Sequence, residues 1–319
     1  MNDVAMAQAV QNAVRPKFRG NKSLKSKVAV QFPVNLAEEY ERIARQYMAL
    51  LNGVLKERLP EIRRAIDVER AEMRMDADLN VSRMIRRVME RARLEFESKA
   101  ASFGLARKIA ELAVKVKKRS IREWKRVVHK TLGINIVEDY YSGEFYQDAM
   151  RQWAANNVGL IKTIPAETLN RMETIIENGY YSGKSNAEMS RLIQEAYGID
   201  RDHAQFIARD QTAKLNADIT QTQQKDAGVQ RYEWSDSGDV RVRECHAHLN
   251  GKKFFWNDPP EMWYETKKNG RVYTGRHCHP GQDYDCRCVS LPVFDIDTLN
   301  LPWDGNSGVD ITGFSMKIT

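Results

Sequence analysis

The feature that most constrains the fold is a change in the spacing of apolar residues at Gly228. Before this glycine, large apolar residues recur every three or four positions, which is the period of an amphipathic helix. After it, short β-type runs such as "VQRYEWS", "KKFFW" and "RCVSLPVF" alternate with Gly, Asn and Pro. The sequence therefore predicts an α+β protein, mainly α, in which long helices precede a small strand-and-loop module.

Three apolar stripes mark helices in the N-terminal half. They cover residues 36–54, 77–92 and 103–124. Pro60 is expected to kink or end the first of these helices, because proline removes a backbone donor. We expect residues 35–132 to form a basic helical hairpin or bundle.

The middle of the chain, residues 133–228, is also predicted to be helical. Pro165 is expected to open one helix, since proline is favoured in the first helical turn. Ser185 and Glu188 have the spacing of a capping box and predict a second helix. Asp200 is expected to cap a third, which stops near the glycine where the pattern changes.

Charge divides the chain into two unlike halves. Residues 1–130 carry 30 Lys and Arg against 16 Asp and Glu, a balance of +14, and the remainder carries 20 against 27, a balance of −7. Opposite signs indicate different partners for the two halves. Residues 1–34, with six basic residues at short intervals, are predicted to be a flexible basic arm; a solvated tail and a phosphate-binding arm both remain open.

The basic helices are candidates for contact with nucleic acid or with an acidic protein. Between residues 107 and 130 there are ten Lys and Arg against two acids, more than solubility requires. A solvated face remains the alternative. The candidate DNA-binding residues are Arg86, Arg87, Lys115, Lys117, Lys118, Arg119, Arg122, Lys125 and Arg126.

Membrane and secretory segments are not predicted. No run of 18 apolar residues occurs, and the N-terminus lacks a basic region followed by an apolar core. We expect the protein to fold in a reducing cytosol, where its four cysteines are free thiols or metal ligands rather than disulfides.

All four cysteines and four of the six histidines lie between residues 245 and 288. Zinc binds four such ligands in a tetrahedral array. Side chains two apart on a strand share a face, so His246 with His248, and Cys286 with Cys288, are predicted to point together. A small module often needs a metal for stability. Unliganded thiols, a disulfide and a catalytic metal remain open alternatives.

The sequence does not predict an enzyme. No Glu follows a histidine in an H-x-E or H-E-x-x-H spacing, and no phosphate-binding loop or nucleophile elbow is present. His246, Glu244, Asp283 and Asp285 supply acids and a base for metal-assisted hydrolysis, but without a recognisable pattern.

The segment from about residue 165 to 294 resembles the phage Mu protein F-like family of head morphogenesis or minor head proteins. Members carry an aromatic strand, a D-x-R-x-R-x-x-H-x-x-L-x-G signature and a loop that ends in C-R-C. Residues 229–294 form the corresponding Cys/His β module, and residues 295–319 are expected to be an extended C-terminal tail. The signature positions, apart from the ligands, are Trp234, Asp239, Arg241, Arg243, Leu249, Gly251 and Pro280.

The crowded Cys and His residues and the small core predict a structural zinc ion that clasps the module, and the resemblance helps to choose its ligands. The ligands it implies are His246, His279, Cys286 and Cys288, with Cys245, His248 and Cys278 as substitutes.

The resemblance also implies a minor head protein of a tailed bacteriophage, made in the host cytoplasm and built into the virion near the portal. Its expected partners are the portal, other head proteins and phage double-stranded DNA, which it would contact without sequence choice through its basic helices. A metal-dependent nuclease that acts during DNA packaging or ejection is the alternative. A third hypothesis is an assembly adaptor whose basic helices bind an acidic protein surface.

Overall fold

The computed structural model describes residues 3–72, 77–137, 141 and 143–303. It is mainly helical with a small sheet region, and this confirms the predicted class. The helices are α1 (Asp3–Phe18), α2 (Val34–Glu72), α3 (Ala77–Phe103), α4 (Leu105–Leu132), α5 (Glu144–Tyr181), α6 (Asn186–Asp226) and α7 (Glu244–Leu249). The strands are β1 (Ser23–Lys25), β2 (Arg231–Ser235), β3 (Lys253–Phe255), β4 (Glu261–Thr266), β5 (Gly270–His277) and β6 (Val289–Asp295). Within the described ranges, no helix combines the length and the apolar character that crossing a membrane requires.

The chain forms two compact units, each assembled from segments that are distant in sequence. The first unit comprises Met1–Val34, Val114–Met150 and Thr212–Thr319. The second unit comprises Asn35–Ala113 and Arg151–Gln211. The candidate metal ligands all belong to the first unit.

The second unit is a helical bundle built on the predicted apolar stripes. Tyr47 of α2 is buried and packs against the ring of Phe96 of α3, with centroids 5.5 Å apart. Tyr40, one helical repeat earlier, packs edge-on against Trp153 of α5 and donates its hydroxyl to Asn157 Oδ1 at 2.9 Å. The stripe therefore carries both apolar packing and a satisfied buried polar pair.

Two prolines that predicted helix ends lie inside helices instead. Pro165 lies within α5, so the prediction that it opens a helix is wrong, and Pro60 lies within α2, which it therefore does not end. A proline removes only one backbone donor. Each proline has a buried neighbour in its own helix, Ile62 in α2 and Ile164 in α5. Tertiary packing therefore outweighs the local preference of proline.

α6 begins where the capping box predicts, but it does not break at Asp200. Ser185 Oγ accepts the backbone N–H of Glu188, and the Glu188 carboxylate accepts the backbone N–H of Ser185. Asp200 lies inside the same helix and accepts hydrogen bonds from Thr168 and Arg171. Its role is to tie α5 to α6, so the predicted third helix start is wrong.

The prediction that residues 1–34 form a flexible arm is also wrong for residues 3–34, in which the structure has the ordered elements α1 and β1. Val10, Val14 and Phe18 are buried and lie four residues apart, which makes α1 an amphipathic helix. β1 then pairs with β6, and Lys25 reaches Glu233 at 2.8 Å. An acid-free stretch can still fold when its few apolar residues share one face.

The first unit contains an antiparallel four-stranded sheet in the order β1-β6-β2-β3. Leu24 of β1 pairs with Phe294 of β6, and Trp234 of β2 pairs with Ser290 of β6. Three of these strands, β2, β3 and β6, are the ones that the sequence predicted. The separate β4–β5 hairpin was not predicted, because its strands mix charged and aromatic residues without alternation.

The backbone closes tightly where α6 gives way to the sheet. Gly228 has φ +77°, and its carbonyl accepts the Thr298 hydroxyl at 2.8 Å. The Asn300 N–H donates to the Ala227 carbonyl at 3.0 Å. The first residues of the predicted tail are therefore fixed against the end of α6, and the rest of it, residues 304–319, lies outside the described residues.

Candidate metal centre

The short helix α7 positions the histidine of the centre. His246 is buried on its inner side, whereas His248 is exposed, with Nε2 2.7 Å from Lys252 Nζ. The expectation that both histidines share a strand face is wrong, because residues two apart on a helix diverge by about 200°. Only His246 can join an interior site.

The two cysteines of the C-R-C motif lie in the extended segment that leads into β6. Both are buried, and they point to the same side, as the two-residue spacing predicts. His246 Nδ1 lies 3.6 Å from Cys286 Sγ and 3.7 Å from Cys288 Sγ. The three donor atoms lie within 4.8 Å of one another.

These distances fit a tetrahedral zinc ion. With bonds of about 2.3 Å to sulfur and about 2.0–2.1 Å to nitrogen, the nitrogen–sulfur edge of a tetrahedron is about 3.6 Å. The two edges that His246 makes with Cys286 and Cys288 match this value. Two thiolates and one imidazole are also the donor types that zinc prefers.

Asp283 fixes the orientation of the imidazole. Its Oδ2 lies 3.2 Å from His246 Nε2 and 3.2 Å from Arg243 Nη1, and its Oδ1 accepts from Arg276. In the neutral imidazole, a proton on Nε2 donated to this carboxylate leaves the Nδ1 lone pair directed at the sulfurs. This carboxylate–histidine arrangement is typical of metal sites.

The electrostatics of the cluster favour binding of a cation. The pKa of Cys286 lies well below its ordinary value. The hydrogen bond from Cys288 is the main cause, burial acts against it, and the contact with His246 lowers the pKa further. The hydrogen bond to Cys286 and burial raise the pKa of Cys288, so one proton remains on the pair. Burial opposes protonation of His246, but hydrogen bonds with Asp283 and Cys286 raise its pKa to about 9. Burial also opposes ionisation of Asp283, yet His246 and Arg276 lower the pKa of its carboxyl. A divalent cation would displace both the remaining thiol proton and the proton on His246 Nδ1, since metal ligands bind in their deprotonated forms.

One further contact stabilises negative charge on sulfur. The backbone N–H of Gly281 donates to Cys286 Sγ at 3.3 Å. Gly281 has φ +85°, and a Cβ there would lie 2.9 Å from Ala217 Cβ. Glycine is required at this position both for the backbone conformation and for the close approach to α6.

His279, the fourth ligand that the resemblance implied, does not join the cluster. Its Nδ1 lies 2.9 Å from the Tyr232 hydroxyl, and it also hydrogen bonds to the Trp256 backbone. Burial and repulsion from Lys225 lower the pKa of His279 to about 4, so it is a neutral core residue. Its ring packs against those of Tyr232 and Trp256, with centroids 5.5 Å and 4.8 Å away, so its role is in the aromatic core.

The substitute ligands are also held elsewhere. Cys245 is buried on α7, where burial raises the pKa of its thiol, and it hydrogen bonds to the Trp263 backbone. Cys278 is half-buried against the same aromatic core. Neither joins the three donors, and among the residues that the structure describes no fourth His, Cys, Asp or Glu does so.

The other signature residues hold the loops around the cluster. Asp239 Oδ2 lies 2.5 Å from Arg287 Nη2, and Arg243 donates to the Tyr284 carbonyl at 2.6 Å. Trp234 is fully buried, with its ring 5.4 Å from that of His246. The remaining positions serve the backbone: Arg241 donates its N–H to Asp239, Gly251 has φ +77° and donates to the Trp234 carbonyl, and Pro280 lies beside the Cys286 loop.

Sequence reasoning missed the positioning roles of two residues in this network. Asp283 was considered only as a catalytic acid, and Arg276 was not singled out. The sequence did contain a signal for Asp283, because this carboxylate lies in a loop crowded with candidate ligands. A metal-bound histidine usually donates its second ring N–H to such a carboxylate.

The predicted DNA-binding residues divide into engaged and exposed groups. Arg119 and Arg126 of α4 donate to the carbonyls of Gln31 and Ala29, and therefore fasten the segment before α2. Lys117 lies over the Tyr146 ring, and burial lowers its pKa. The rest are distributed as follows: Lys115, Lys118 and Arg122 are exposed on α4, Lys125 is half-buried, and Arg86 and Arg87 are exposed on α3, where Arg86 pairs with Glu177.

Comparison with known proteins places the cluster within a segment that matches a family model. Residues 170–291 match the family model described as Phage Mu protein F like protein, which confirms the resemblance for this part of the chain. An uncharacterized protein of Haemophilus influenzae is 36% identical over 141 residues, which cover 44% of this chain and 28% of the relative. The NAD(+)--arginine ADP-ribosyltransferase EFV of Enterococcus faecalis is 26% identical over 136 residues, covering 41% of this chain and 27% of that protein. The chain thus spans less than a third of the length of these curated relatives, and no solved structure matches it.

Proposed function

Because residues 170–291 match the Phage Mu protein F-like family, we propose that this chain is a minor head protein of a tailed bacteriophage that acts in head morphogenesis near the portal. The family match is the observation that carries the proposal. The charge difference between the two halves supports a protein with two kinds of partner, the genome on one side and head proteins on the other.

The location in the virion is tested in the phage that encodes the chain. A premature stop codon is expected to reduce DNA-filled heads severely, and a plasmid copy of the gene should restore them. Mass spectrometry of complemented particles should find the chain in the virion. Normal heads in the absence of the gene would contradict the proposal.

The metal in this proposal is structural. Zinc would be held by His246, Cys286 and Cys288 and would join α7 to the segment before β6. These elements enclose a small aromatic core that includes Trp234 and Trp256. A core of this size gains much of its stability from a metal crosslink.

Replacement of Asp283 by Ala is expected to weaken zinc binding by about 10- to 100-fold, because it removes the carboxylate that orients His246. Asp239→Ala is the matched control: it removes another arginine-paired carboxylate of the same module that does not contact the histidine. Competition with a chromophoric chelator measures both affinities. Equal losses in the two variants would show that Asp283 acts only through general stability.

The proposed contact with DNA is carried by the exposed face of α4. Lys115, Lys118 and Arg122 are exposed and lie three and four residues apart, so they share one side of the helix. Each phosphate that such a residue neutralises releases counterions and adds salt-dependent affinity without base readout.

In the full-length protein, the double variant Lys118→Ala, Arg122→Ala is expected to weaken binding to duplex DNA and to reduce the slope of log K against log salt by about 2. Lys267→Ala, Lys268→Ala removes the same charge at the β4–β5 turn and should leave the slope nearly unchanged. Fluorescence anisotropy across a salt series gives both values. If the wild-type protein does not bind DNA at low salt, the contact is excluded, and portal capture that survives nuclease treatment would support the adaptor hypothesis.

The three-donor arrangement also supports a second candidate, a metal-dependent nuclease, because catalytic zinc ions keep one coordination position open. The neighbouring acid speaks against it, since Asp283 is held by Arg243, Arg276 and His246 and is a poor base. A nuclease would cut plasmid DNA with added divalent metal and lose this activity in His246→Ala. Absence of cutting by the zinc-loaded protein would exclude it.

A further inference from the structure

A cavity of about 60 Å³ contacts all three donors of the cluster. Its lining includes the three donors His246, Cys286 and Cys288, together with the charged residues Arg241, Arg243, Arg287 and Asp285. One water needs roughly 10–15 Å³ of such space, so the cavity has room for several waters or for one small anion.

Among the residues that the structure describes, no fourth His, Cys, Asp or Glu joins the three donors. His279 is occupied by Tyr232 and Trp256, and Cys245 by the Trp263 backbone. Cys278 does not belong to the donor group of the described residues. The cavity is a space that all three donors line, so a fourth donor from solution would reach a bound ion from there.

The charged side chains that line the cavity, three arginines against the single acid Asp285, favour an anion. A zinc ion bound by two thiolates and a neutral imidazole carries no net charge, so the surrounding guanidinium groups are not cancelled by it. Arg243 and Arg287 are paired with Asp283 and Asp239, but each retains further N–H donors. Arg241 is the most exposed of the three, with its nearest carboxylate oxygen, on Asp239, 4.0 Å away.

We propose that His246, Cys286 and Cys288 form a three-ligand metal centre whose fourth position is open and exchangeable, and that it takes water or a small inorganic anion from the arginine-lined cavity. This rests on the metal binding of the proposed function, but it goes beyond a closed structural site. The centre is accessible from the cavity and responds to solutes without loss of the metal.

The test uses the full-length protein loaded with Co²⁺, whose visible spectrum reports its ligands, and sodium azide as the probe. Azide is expected to shift the d–d bands with saturation while the bound cobalt stays at one per chain. Arg241→Gln should weaken the azide response several-fold and leave cobalt binding unchanged. The intensity of the sulfur-to-cobalt charge-transfer band should correspond to two thiolates and should be the same in Cys278→Ser.

Three outcomes would overturn the inference, and they differ in whether the metal of the proposed function is also excluded. A cobalt spectrum that azide does not change means a closed site, and the structural metal of the proposed function would stand. A one-third loss of charge-transfer intensity in Cys278→Ser would identify Cys278 as the fourth ligand. Failure of the wild-type protein to bind cobalt or zinc would remove the metal centre itself, together with the metal part of the proposed function.

Discussion

Cys286→Ser is expected to abolish zinc binding and to destabilise the first unit strongly. Cys286 receives contacts from His246 and from the Gly281 N–H, and serine cannot replace a thiolate at this buried position. Zinc coupled to folding contributes about 10–16 kcal/mol in isolated zinc-finger peptides, and a larger core should retain part of this dependence. We expect a loss of about 4 kcal/mol, which corresponds to a fall in Tm of roughly 8–16 °C for a unit of this size.

Cys278→Ser is the matched control for this experiment. It makes the same chemical change at a half-buried cysteine of the same module that lies outside the donor group. Zinc content should stay unchanged, and the Tm should fall by only a few degrees. A chelator should bring the wild-type protein to the Tm of Cys286→Ser and should have little effect on that variant. Equal effects of the two substitutions on zinc content would contradict the three-donor centre.

Gly228→Ala is expected to have the other large effect. A Cβ at this position would lie 1.8 Å from the Thr298 carbonyl oxygen, and the residue has φ +77°. The neighbouring atom is backbone, so relief requires the segment after β6 to move away from the end of α6. We expect a loss of at least about 3 kcal/mol in the free energy of unfolding, the upper end of the cost of a strained backbone position.

Gly238→Ala separates the steric overlap from the backbone conformation. Gly238 has φ +66°, but no atom lies within 4 Å of a Cβ built there. This variant should lose only about 1–2 kcal/mol, the cost of a left-handed residue with a side chain. Urea unfolding of the two variants measures the difference. If both lose the same free energy, the contact with Thr298 does not constrain the fold.

The parts that sequence predicted well are those with a strong local pattern. Helical stripes place Tyr40, Tyr47 and Trp124 in the interior, where the structure has them buried. The two-residue spacing of Cys286 and Cys288 likewise predicts that they point together, because an extended chain admits few alternatives. Periodicity cannot show, however, that each compact unit draws on segments far apart in sequence.

The candidate site was predicted less completely, since its geometry depends on contacts between loops. His246 does lie beside Cys286 and Cys288, but on a short helix instead of the expected strand, because six residues are too few for a helical period to be visible. His279 was named as a ligand on the family resemblance, and the structure places it against Tyr232, outside the three donors. Whether a histidine coordinates or packs is decided by its neighbours in space, which spacing alone does not reveal.

The pairing of β1 with β6 also determines when the first unit can complete itself during synthesis. Ser23 pairs with Asp295, so the sheet joins residues that are far apart in the sequence. α1 and β1 are synthesised before β6 and must wait for it, and closing so long a loop costs entropy before any contact compensates it. In the interval, the edge of β1 has no native partner and can pair with other chains. The yield of folded protein should therefore depend on chaperones that hold incomplete chains apart until β6 is available.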